Sequence, residues 1–537
     1  MQSREPDRLG RESFRRFWIL DFGFWIDGNP KSKIENPKSR SVRRPFPTWA
    51  VILALLALIA CPAAAKEPAG VYVVLWFDTE DYLLPASDDA ALRLARFLSE
   101  QDIRATFKVV GEKARTLKLR QRYDVIDALK KHEIGYHSNW HSVQPSPAMY
   151  LSVLGWDEGV AEFDRREGPG RADVERIFGQ APSCYGQPGS SWAPQSFGGM
   201  RRWQMPVYLD AGGHVGLDDK PHYYCGVLTL YRLAHTLRTG LNAESDLRAA
   251  EDRFQNARAA LREQGGGVVS IYYHPCEFVH KEFWDGVNFR QGANPPRDEW
   301  KLPPRKSPAE SALAWRNFEG YIRYLRGFND VRFITASEAA RLYRDQARDR
   351  EFGPRDIKTI AQRVSREVSF QRHDGFTLAA SEVFALLNQF VAESGGPGQA
   401  TLRLKTSPLG PTGPTPTLSG DLTVDWSQFS RTAKDMADYV EWHNRVPNAV
   451  WLGSKSAPPE SYLVALAGAA ADLAGGGVPP ESVVLKPAHL AAERYVADDG
   501  PQLWGWVIFP PGFRAPAMME LAKRQAWTIK PALLHEE

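Results

Sequence analysis

The stretch VYVVLWFDTED, residues 71–81, consists of seven apolar residues followed directly by an acidic cluster. An uncharged run of this length, rich in β-branched and aromatic residues, predicts a buried strand. The carboxylates of Asp78, Glu80 and Asp81 would then stand together at the end of that strand. Three like charges so close repel one another unless a cation or a proton neutralises them, although a turn that caps a helix is an alternative interpretation.

Strand-like and helix-like segments alternate from residue 71 to about residue 343. The further strand-like segments are 104–110, 134–136, 227–231, 267–273 and 331–334, and the helix-like segments are 88–101, 112–131, 244–263, 308–325 and a last helix through 343. Repeated strand–helix units predict parallel strands covered by helices. Because a closed or nearly closed barrel of this kind carries its active residues at the carboxyl ends of its strands, the residues that follow each strand are the candidates for chemistry.

Two histidine clusters follow two of these predicted strands. His137 and His141 bracket the sequence HSNWH directly after 134–136, and His274 opens the sequence HPCE directly after 267–273. Histidines four residues apart face the same way on one helical turn, so both can bind one metal ion. Each histidine cluster alone is common in proteins without a metal, but a barrel would bring both of them to the acidic cluster.

These clusters resemble the motifs of the polysaccharide deacetylase family, carbohydrate esterase family four, over residues 71–343, about half of the chain. FDTED at 77–81 is similar to the aspartate motif that ends the family's first strand, and HSNWH at 137–141 matches its His-Ser/Thr-x-x-His motif in full. ATFKVVG at 105–111 resembles the family's second strand, and IYYHP at 271–275 resembles its last motif. The resemblance implies an α/β fold, a distorted (β/α) barrel of the polysaccharide deacetylase type.

The resemblance also implies a role for most residues of the clusters. Asp78 is implied as the general base, and His274 as the acid that protonates the departing amine. His137, His141 and one carboxylate are implied as ligands of a divalent metal, for which zinc is expected. Ser138 is implied as a residue that does not bind the metal itself but orients one of the metal-binding side chains.

The carboxylate that completes the metal site stays open between two neighbours. Strand alternation places Glu80 on the same side as Asp78, so Glu80 is one candidate for the ligand. Asp81 serves instead if the chain turns at Glu80.

Gln187, Trp140 and Tyr185 are predicted to contact the substrate. The family's third motif carries an arginine that orients the base, whereas the sequence CYGQPG has Gln187 at that place. A glutamine can hydrogen-bond Asp78 but cannot balance its charge, so Arg201 or Arg202 is expected to substitute. Asp210 is the candidate for the family's aspartate that steadies the catalytic histidine. The sequence therefore supports metal binding more strongly than turnover.

An apolar run at residues 49–60 indicates export. It follows a basic leader, residues 1–47, that has 11 Lys or Arg and 6 Asp or Glu, and three alanines follow it at 63–65. About a dozen apolar residues between basic residues and a small-residue cleavage site are typical of a secretory signal. We therefore expect residues 1–65 to be a leader with a signal peptide, and the protein to reach the periplasm, the cell envelope or the extracellular space. Lipoprotein anchoring through Cys61 is the less favoured alternative, because Pro62 follows it.

Residues 66–348 are the predicted catalytic barrel, and residues 349–537 predict a smaller C-terminal α+β accessory domain. A Pro- and Gly-rich stretch at 407–416 cannot form regular structure. On either side of it, helix–loop–strand patterns at 382–404 and 460–485 lie about 78 residues apart, which indicates a duplicated module or a coincidence of composition. No catalytic constellation is evident there, so this domain is expected to serve cell-wall or envelope association.

The composition excludes several classes of protein. The 67 Lys and Arg against 64 Asp and Glu give a net charge of +3, which is too small for a nucleic-acid partner, and four cysteines in 537 residues exclude a disulfide scaffold. The leading hypothesis is an exported, metal-dependent deacetylase that acts on N-acetyl groups of an envelope polysaccharide or exopolysaccharide. The alternatives are a non-catalytic glycan- or cell-wall-binding protein on the same fold, motivated by the missing arginine, and an amidase that acts on a small non-sugar C–N bond.

Overall fold

Strand β1, Val71–Thr79, lies within an 11-stranded sheet in the computed structural model, which describes residues 70–394 and 401–535. All nine residues of β1 are buried, as the unbroken apolar run predicts. The predicted leader and signal peptide, together with Cys61, lie outside the described residues.

The other strands of this sheet run mostly parallel to β1. They are β2 (Thr106–Val109), β3 (Glu133–Tyr136), β4 (Cys184–Tyr185), β5 (Val207–Leu209), β6 (His222–Tyr224), β7 (Val227–Leu230), β8 (Thr236–Leu237), β9 (Gly267–Tyr273), β10 (Val331–Ile334) and β21 (Lys530–Pro531). Their order is β21-β6-β7-β5-β4-β3-β2-β1-β9-β8, with β10 also paired to β1, and the antiparallel pairs are β6–β7 and β21–β6. The ladder ends at β8 and β21, so the described strands form a distorted, incompletely closed (β/α) barrel, the α/β fold that the sequence predicts.

Ten α-helices belong to the same part of the described chain. They are α1 (Pro85–Glu100), α2 (Gly111–Leu119), α3 (Tyr123–Leu129), α4 (Pro147–Leu151), α5 (Trp156–Phe178), α6 (Gln195–Arg202), α7 (Asp246–Glu263), α8 (Trp284–Asn288), α9 (Pro308–Arg326) and α10 (Ala336–Leu342). The single helix predicted at 112–131 is two helices, α2 and α3, because Gln121 between them has a left-handed φ of 56°. Among the described residues, no helix combines the length and the apolar character that a membrane span needs.

The sequence pattern does not predict α5, because Gly168-Pro169-Gly170 interrupts it. Close packing explains one of these glycines: a Cβ on Gly170 would lie 2.6 Å from the side-chain oxygen of Asn139. Helix α5 therefore lies directly behind the segment that carries His137 and His141.

The register of β1 with its neighbours decides which side chains meet. Phe77 lies opposite Tyr273 of β9, and Val109 of β2 lies opposite both Thr79 of β1 and Tyr136 of β3. These strands therefore end close to one another, and parallel strands present the residues at their carboxyl ends on one edge of the sheet. The residues placed at this edge are Asp78, Glu80, His137, His141 and His274.

The chain beyond residue 350 contains short strands and five further α-helices. The strands are β11 (Glu351–Phe352), β12 (Glu367–Val368), β13 (Gln371–His373), β14 (Phe376–Leu378), β15 (Leu402–Arg403), β16 (Leu422–Asp425), β17 (Val450–Leu452), β18 (Lys455–Ala457), β19 (Ser482–Leu485) and β20 (His489–Leu490). The helices are α11 (Pro354–Gln362), α12 (Ala380–Glu393), α13 (Trp426–His443), α14 (Pro459–Ala474) and α15 (Pro516–Arg524). The order helix–hairpin–helix occurs twice, as α11–β13–β14–α12 and as α13–β17–β18–α14. Duplication itself stays a prediction.

The structure does not confirm a separate accessory domain at 349–537. Strand β21 extends the main sheet by pairing with β6, and all described residues belong to one compact unit. Lys530 of β21 is buried, and its Nζ lies 2.8 Å from carboxylate oxygens of both Asp345 and Glu382. The Pro- and Gly-rich stretch is irregular, as predicted, but it is packed, because the Gly410 N–H donates to the side chain of Gln525 at 3.0 Å. The domain boundary at residue 348 stays a prediction.

Candidate active site

Glu80, His137 and His141 come together at the carboxyl edge of the sheet. Nε2 of His141 lies 2.8 Å from Oε2 of Glu80, and Nε2 of His137 lies 3.9 Å from the same oxygen. Nδ1 of His137 is 3.0 Å from the carbonyl oxygen of Gly186, which can only accept, so Nδ1 carries the proton and Nε2 keeps its lone pair. Ligand atoms of the three side chains all lie within 4.8 Å of one another, so they can bind one cation.

The surroundings of these three side chains favour a bound cation. All three are buried. Oε1 of Glu80 has no hydrogen-bond partner among the described residues, and Nε2 of His141 forms no hydrogen bond although it lies close to Oε2 of Glu80. Burial, with the nearby carboxylates of Asp285 and Asp78, raises the pKa of Glu80 well above its ordinary value. Burial lowers the pKa of His137 well below its ordinary value and the pKa of His141 to about 4, so both imidazoles are neutral at pH 7. Two neutral imidazoles and a carboxylate form a donor set of divalent metal sites.

The two histidines lie on a tight turn rather than on the helical turn that their spacing predicts. Ser138 and His141 have left-handed φ angles of 67° and 59°, so this segment is not helical and that prediction is wrong. The hydroxyl of Ser138 accepts a hydrogen bond from the His141 N–H at 3.0 Å, and the Glu167 carboxylate accepts one from the Asn139 N–H at 2.7 Å. Ser138 therefore holds the turn that carries both histidines.

Asp81 does not join these three side chains. Its carboxylate accepts hydrogen bonds from the backbone N–H groups of Leu83 at 2.8 Å and Leu84 at 3.1 Å, and from the hydroxyl of Ser87. These bonds fix the turn that precedes α1 and tie it to Ser87 in the first turn of that helix. Of the two carboxylates that the sequence left open, the structure brings Glu80 to the histidines.

A buried lysine pairs with the predicted base. Lys108 stands opposite Asp78 in the register of β1 with β2, and its Nζ lies 2.9 Å from Oδ1 of Asp78 and 2.8 Å from Oδ2 of Asp210. The Leu209 carbonyl accepts a further hydrogen bond from this Nζ at 2.9 Å, and the Nζ lies 4.1 Å from the centre of the Trp76 ring. Because Lys108 has no exposed surface, solvent ions do not screen these pairs.

Lys108 supplies the positive charge that was expected from an arginine. Gln187 hydrogen-bonds two buried tyrosine hydroxyls and forms no hydrogen bond with Asp78 in the described structure. Arg201 donates to two backbone carbonyls at 2.9 and 3.0 Å, and Arg202 lies 4.0 Å from an exposed aspartate. The expected substitution by Arg201 or Arg202 is therefore wrong.

The lysine keeps Asp78 ionised. Burial raises the pKa of Asp78, but the charges of Lys108 and of the nearby His274 outweigh this effect and hold the pKa below its ordinary value. Burial lowers the pKa of Lys108, but Asp210 and Asp78 outweigh that effect and raise it. At neutral pH, Asp78 is a carboxylate whose Oδ1 is held by Lys108 and whose Oδ2 faces His274.

His274 approaches Asp78 from the end of β9. Its Nε2 lies 3.7 Å from Oδ2 of Asp78, and its Nδ1 lies 3.3 Å from Oε2 of Glu277. Burial lowers the pKa of His274, but the carboxylates of Glu277, Glu80 and Asp78 outweigh this effect and raise the pKa to about 9. A protonated imidazole therefore stands beside an ionised carboxylate at neutral pH. Glu277 steadies this histidine, whereas Asp210, the predicted partner, pairs with Lys108.

These groups open into a cavity of about 670 Å³. Its wall includes Asp78, Glu80, His137, His141, Gln187, Asp210 and His274. Of the three predicted substrate contacts, Gln187 lies on this wall. Trp140 lies elsewhere, 40% exposed, with the Arg115 guanidinium 4.8 Å from its ring, and Tyr185 is buried in the aromatic core.

Sequence reasoning missed three parts of the site. Lys108 was detectable as a lone charge inside the strand sequence TFKV, and Glu277 as the acid in HPCE. Trp506 and Val507 also line the cavity, but they lie more than 200 residues beyond His274 and carry no local pattern.

No family model matches the chain, and no curated protein matches it. Solved structures similar to this chain include a protein from Mycobacterium smegmatis assigned as a polysaccharide deacetylase, with 16% identity, a TM-score of 0.33, and coverage of 52% of this chain and 93% of that one. A family 4 acetyl xylan esterase from Clostridium thermocellum has 18% identity, a TM-score of 0.26 and coverage of 51% and 91%. A peptidoglycan deacetylase from Bacillus subtilis has 16% identity, a TM-score of 0.25 and coverage of 51% and 92%. Each of these likenesses covers about half of this chain.

Glu80 and Asp81, the two candidates for the carboxylate ligand, are expected to differ in their effect on zinc binding. Glu80→Gln is expected to weaken zinc binding by at least about 100-fold, because the loss of a group that merely supports a ligand already costs about 10- to 100-fold. Asp81→Asn is expected to bind zinc like the wild type but to lose about 1–2 kcal/mol of stability, because it weakens the hydrogen bonds that a buried carboxylate accepts. Calorimetric zinc titration and thermal unfolding of the full chain measure both effects.

His443→Ala is the matched control, because His443 is an exposed histidine of the C-terminal region and should change neither quantity. Loss of zinc binding in Asp81→Asn together with full binding in Glu80→Gln would make Asp81 the ligand.

Proposed function

We propose that this protein is an exported, metal-dependent deacetylase that hydrolyses N-acetyl groups of a polysaccharide. One observation carries the proposal: an ionised Asp78 and a protonated His274 lie 3.7 Å apart in the same cavity as the group formed by Glu80, His137 and His141. A base, an acid and a cation site in one cavity are the components that hydrolysis of an unactivated amide needs.

The residues fit a divalent cation. Glu80, His137 and His141 would hold it, and zinc is proposed because two imidazoles and one carboxylate are a common ligand set of catalytic zinc. Such an ion supplies Lewis acidity, which polarises a carbonyl and makes water more acidic.

The chain's own residues then move the protons. Asp78, whose Oδ2 is not held by Lys108, accepts the proton of the water that attacks the acetyl carbonyl carbon. His274 donates its proton to the amide nitrogen as the C–N bond breaks, which yields acetate and a free amine. Lys108 and Glu277 hold these two groups in the required charge states before reaction.

The non-catalytic alternative loses its main support. It was motivated by the missing arginine, but Lys108 contacts Asp78 directly and supplies a buried positive charge at 2.9 Å. The predicted signal at 49–65 supports export to the periplasm, the envelope or the extracellular space. Envelope association through residues 349–537 stays a prediction.

Acetate release tests the proposed function. The full chain loaded with zinc is expected to release acetate from chitooligosaccharides or peptidoglycan, and Asp78→Asn is expected to lower kcat by about 100-fold or more with unchanged zinc content, because a general base contributes at least that factor. Asp421→Asn, an exposed aspartate far along the chain, is the control and should retain activity. Hydrolysis of small amides without acetate release from any sugar would establish the amidase instead, and glycan binding without turnover would establish the binding protein.

Lys108→Met tests the buried cation. Its loss is expected to lower kcat by about 100-fold and to move the acidic limb of the pH profile to higher pH, because Asp78 without its cation has a higher pKa and protonates earlier. Lys113→Met is the matched control, since Lys113 is another buried lysine paired with a carboxylate, that of Asp88 at 2.5 Å. It should lower stability without moving the acidic limb, and an equal shift in both variants would contradict the role of Lys108.

Glu277→Gln tests the partner of His274. The acid must be protonated to donate, so activity is expected to fall as the pH rises through about 9, the raised pKa of His274. Without the Glu277 charge, the effect of burial is expected to lower the pKa of His274 to the ordinary value for histidine, about 6.5, or below. The alkaline limb of the pH profile should move down with it. The pH dependence of kcat measures this, with Glu319→Gln as control, since Glu319 is a partly buried glutamate that pairs with Arg93 and Arg323 outside the cavity. An unmoved alkaline limb in Glu277→Gln would assign the acid to another group.

A further inference from the structure

The segment 505–509, near the C-terminus, forms part of the cavity wall. Gly505, Trp506 and Val507 line the cavity together with His141 and His274. The Trp506 ring centre lies 5.2 Å from that of His141, and the two planes are nearly perpendicular, at 80°. A residue far from the motifs in sequence is therefore in contact with a residue assigned to the cation site.

Hydrogen bonds from three other segments hold this wall in place. The Trp506 N–H donates to the hydroxyl of Ser190 at 3.0 Å, and its Nε1–H donates to Oδ2 of Asp285 at 2.6 Å. The N–H groups of Gln291 and Gly292 donate to the carbonyls of Val507 at 2.8 Å and Ile508 at 3.0 Å. The segment is thus fixed at several points, which is the condition for shaping a binding site.

Gly189 packs so closely against the Trp506 indole that no side chain fits between them. Gly189 has a left-handed φ of 52°, and a Cβ on it would overlap the Trp506 ring. The loop that contains Gln187 and the segment 505–509 therefore pack against each other at the cavity wall.

We propose that the segment 505–509 selects the glycan, with Trp506 as the side chain that contacts a sugar ring next to the reacting N-acetyl group. This inference rests on the proposed function. Pyranose rings present C–H groups with partial positive charge, and the face of an indole carries partial negative charge, so the two attract each other. The position of Trp506 beside His141 places such a contact within one sugar of the reacting acetamide.

Two variants test the wall through the KM for triacetylchitotriose. Trp506→Ala is expected to raise KM about 10-fold, a typical cost of truncating a tryptophan at a binding site, with zinc content unchanged and Trp506→Phe intermediate. Gly505→Phe is expected to raise KM as well by filling the cavity, because a Cβ at Gly505 meets no described atom within 4 Å and its φ of −77° suits any residue. The second variant therefore decides the question if Trp506→Ala does not fold.

Trp451→Ala is the matched control, because Trp451 is a 60% exposed tryptophan outside the cavity and its loss should leave KM unchanged. An unchanged KM in both Trp506→Ala and Gly505→Phe, with acetate release intact, would contradict glycan selection by the segment 505–509 but would not contradict the proposed function. If the zinc-loaded wild type releases no acetate, the proposed function fails. Calorimetric titration with triacetylchitotriose then tests separately whether the segment 505–509 binds the glycan. Binding by the wild type that both variants lose supports this role, whereas equal binding by all variants, or no binding by the wild type, contradicts it.

Discussion

The buried ion pair between Lys108 and Asp78 is the interaction on which the rest of the site depends. The carboxylates of Asp78, Glu80, Asp210 and Asp285 all line one cavity, and buried carboxylates cannot all remain ionised without cations. The register of β1 with β2 fixes Lys108 between Asp78 and Asp210, which leaves Glu80 unneutralised beside two neutral imidazoles. One lysine thus divides the carboxylates into Asp78 and Asp210, which share its charge, and Glu80, which has no lysine or arginine beside it among the described residues.

The chemistry-bearing residues could be predicted because each cluster directly follows an apolar strand, and the parallel register then brings the strand ends together. The choice between Glu80 and Asp81 could not be made in this way. It depends on where α1 begins: the pattern starts that helix at residue 88, whereas the structure starts it at Pro85, within reach of the Asp81 carboxylate. A shift of three residues in the helix start thus separates Asp81, which is bonded within the turn before α1, from Glu80, which lies beside the histidines.

Longer-range features have no local pattern from which to predict them. Strand β21 has two residues, too few for any periodicity, yet it extends the main sheet and buries Lys530 between Asp345 and Glu382. The change of pattern after residue 349 and the two helix–loop–strand patterns indicated an accessory domain, and the Pro- and Gly-rich stretch at 407–416 indicated a loop or linker within it. Here the same residues form a packed irregular stretch whose backbone is bonded to Gln525, so composition alone did not reveal its contacts.

The loop CYGQPG, which has Gln187 where the resembled family has an arginine, packs closely against two neighbours through its glycines. A side chain at Gly186 would overlap the Lys108 ammonium, and a side chain at Gly189 would overlap the Trp506 indole. Gln187 hydrogen-bonds the hydroxyls of Tyr208 and Tyr231 rather than Asp78, so the charge of Asp78 is not balanced from this loop. The positive charge beside Asp78 comes from β2 instead, and the glycines of the loop leave room for both that lysine and the indole of Trp506.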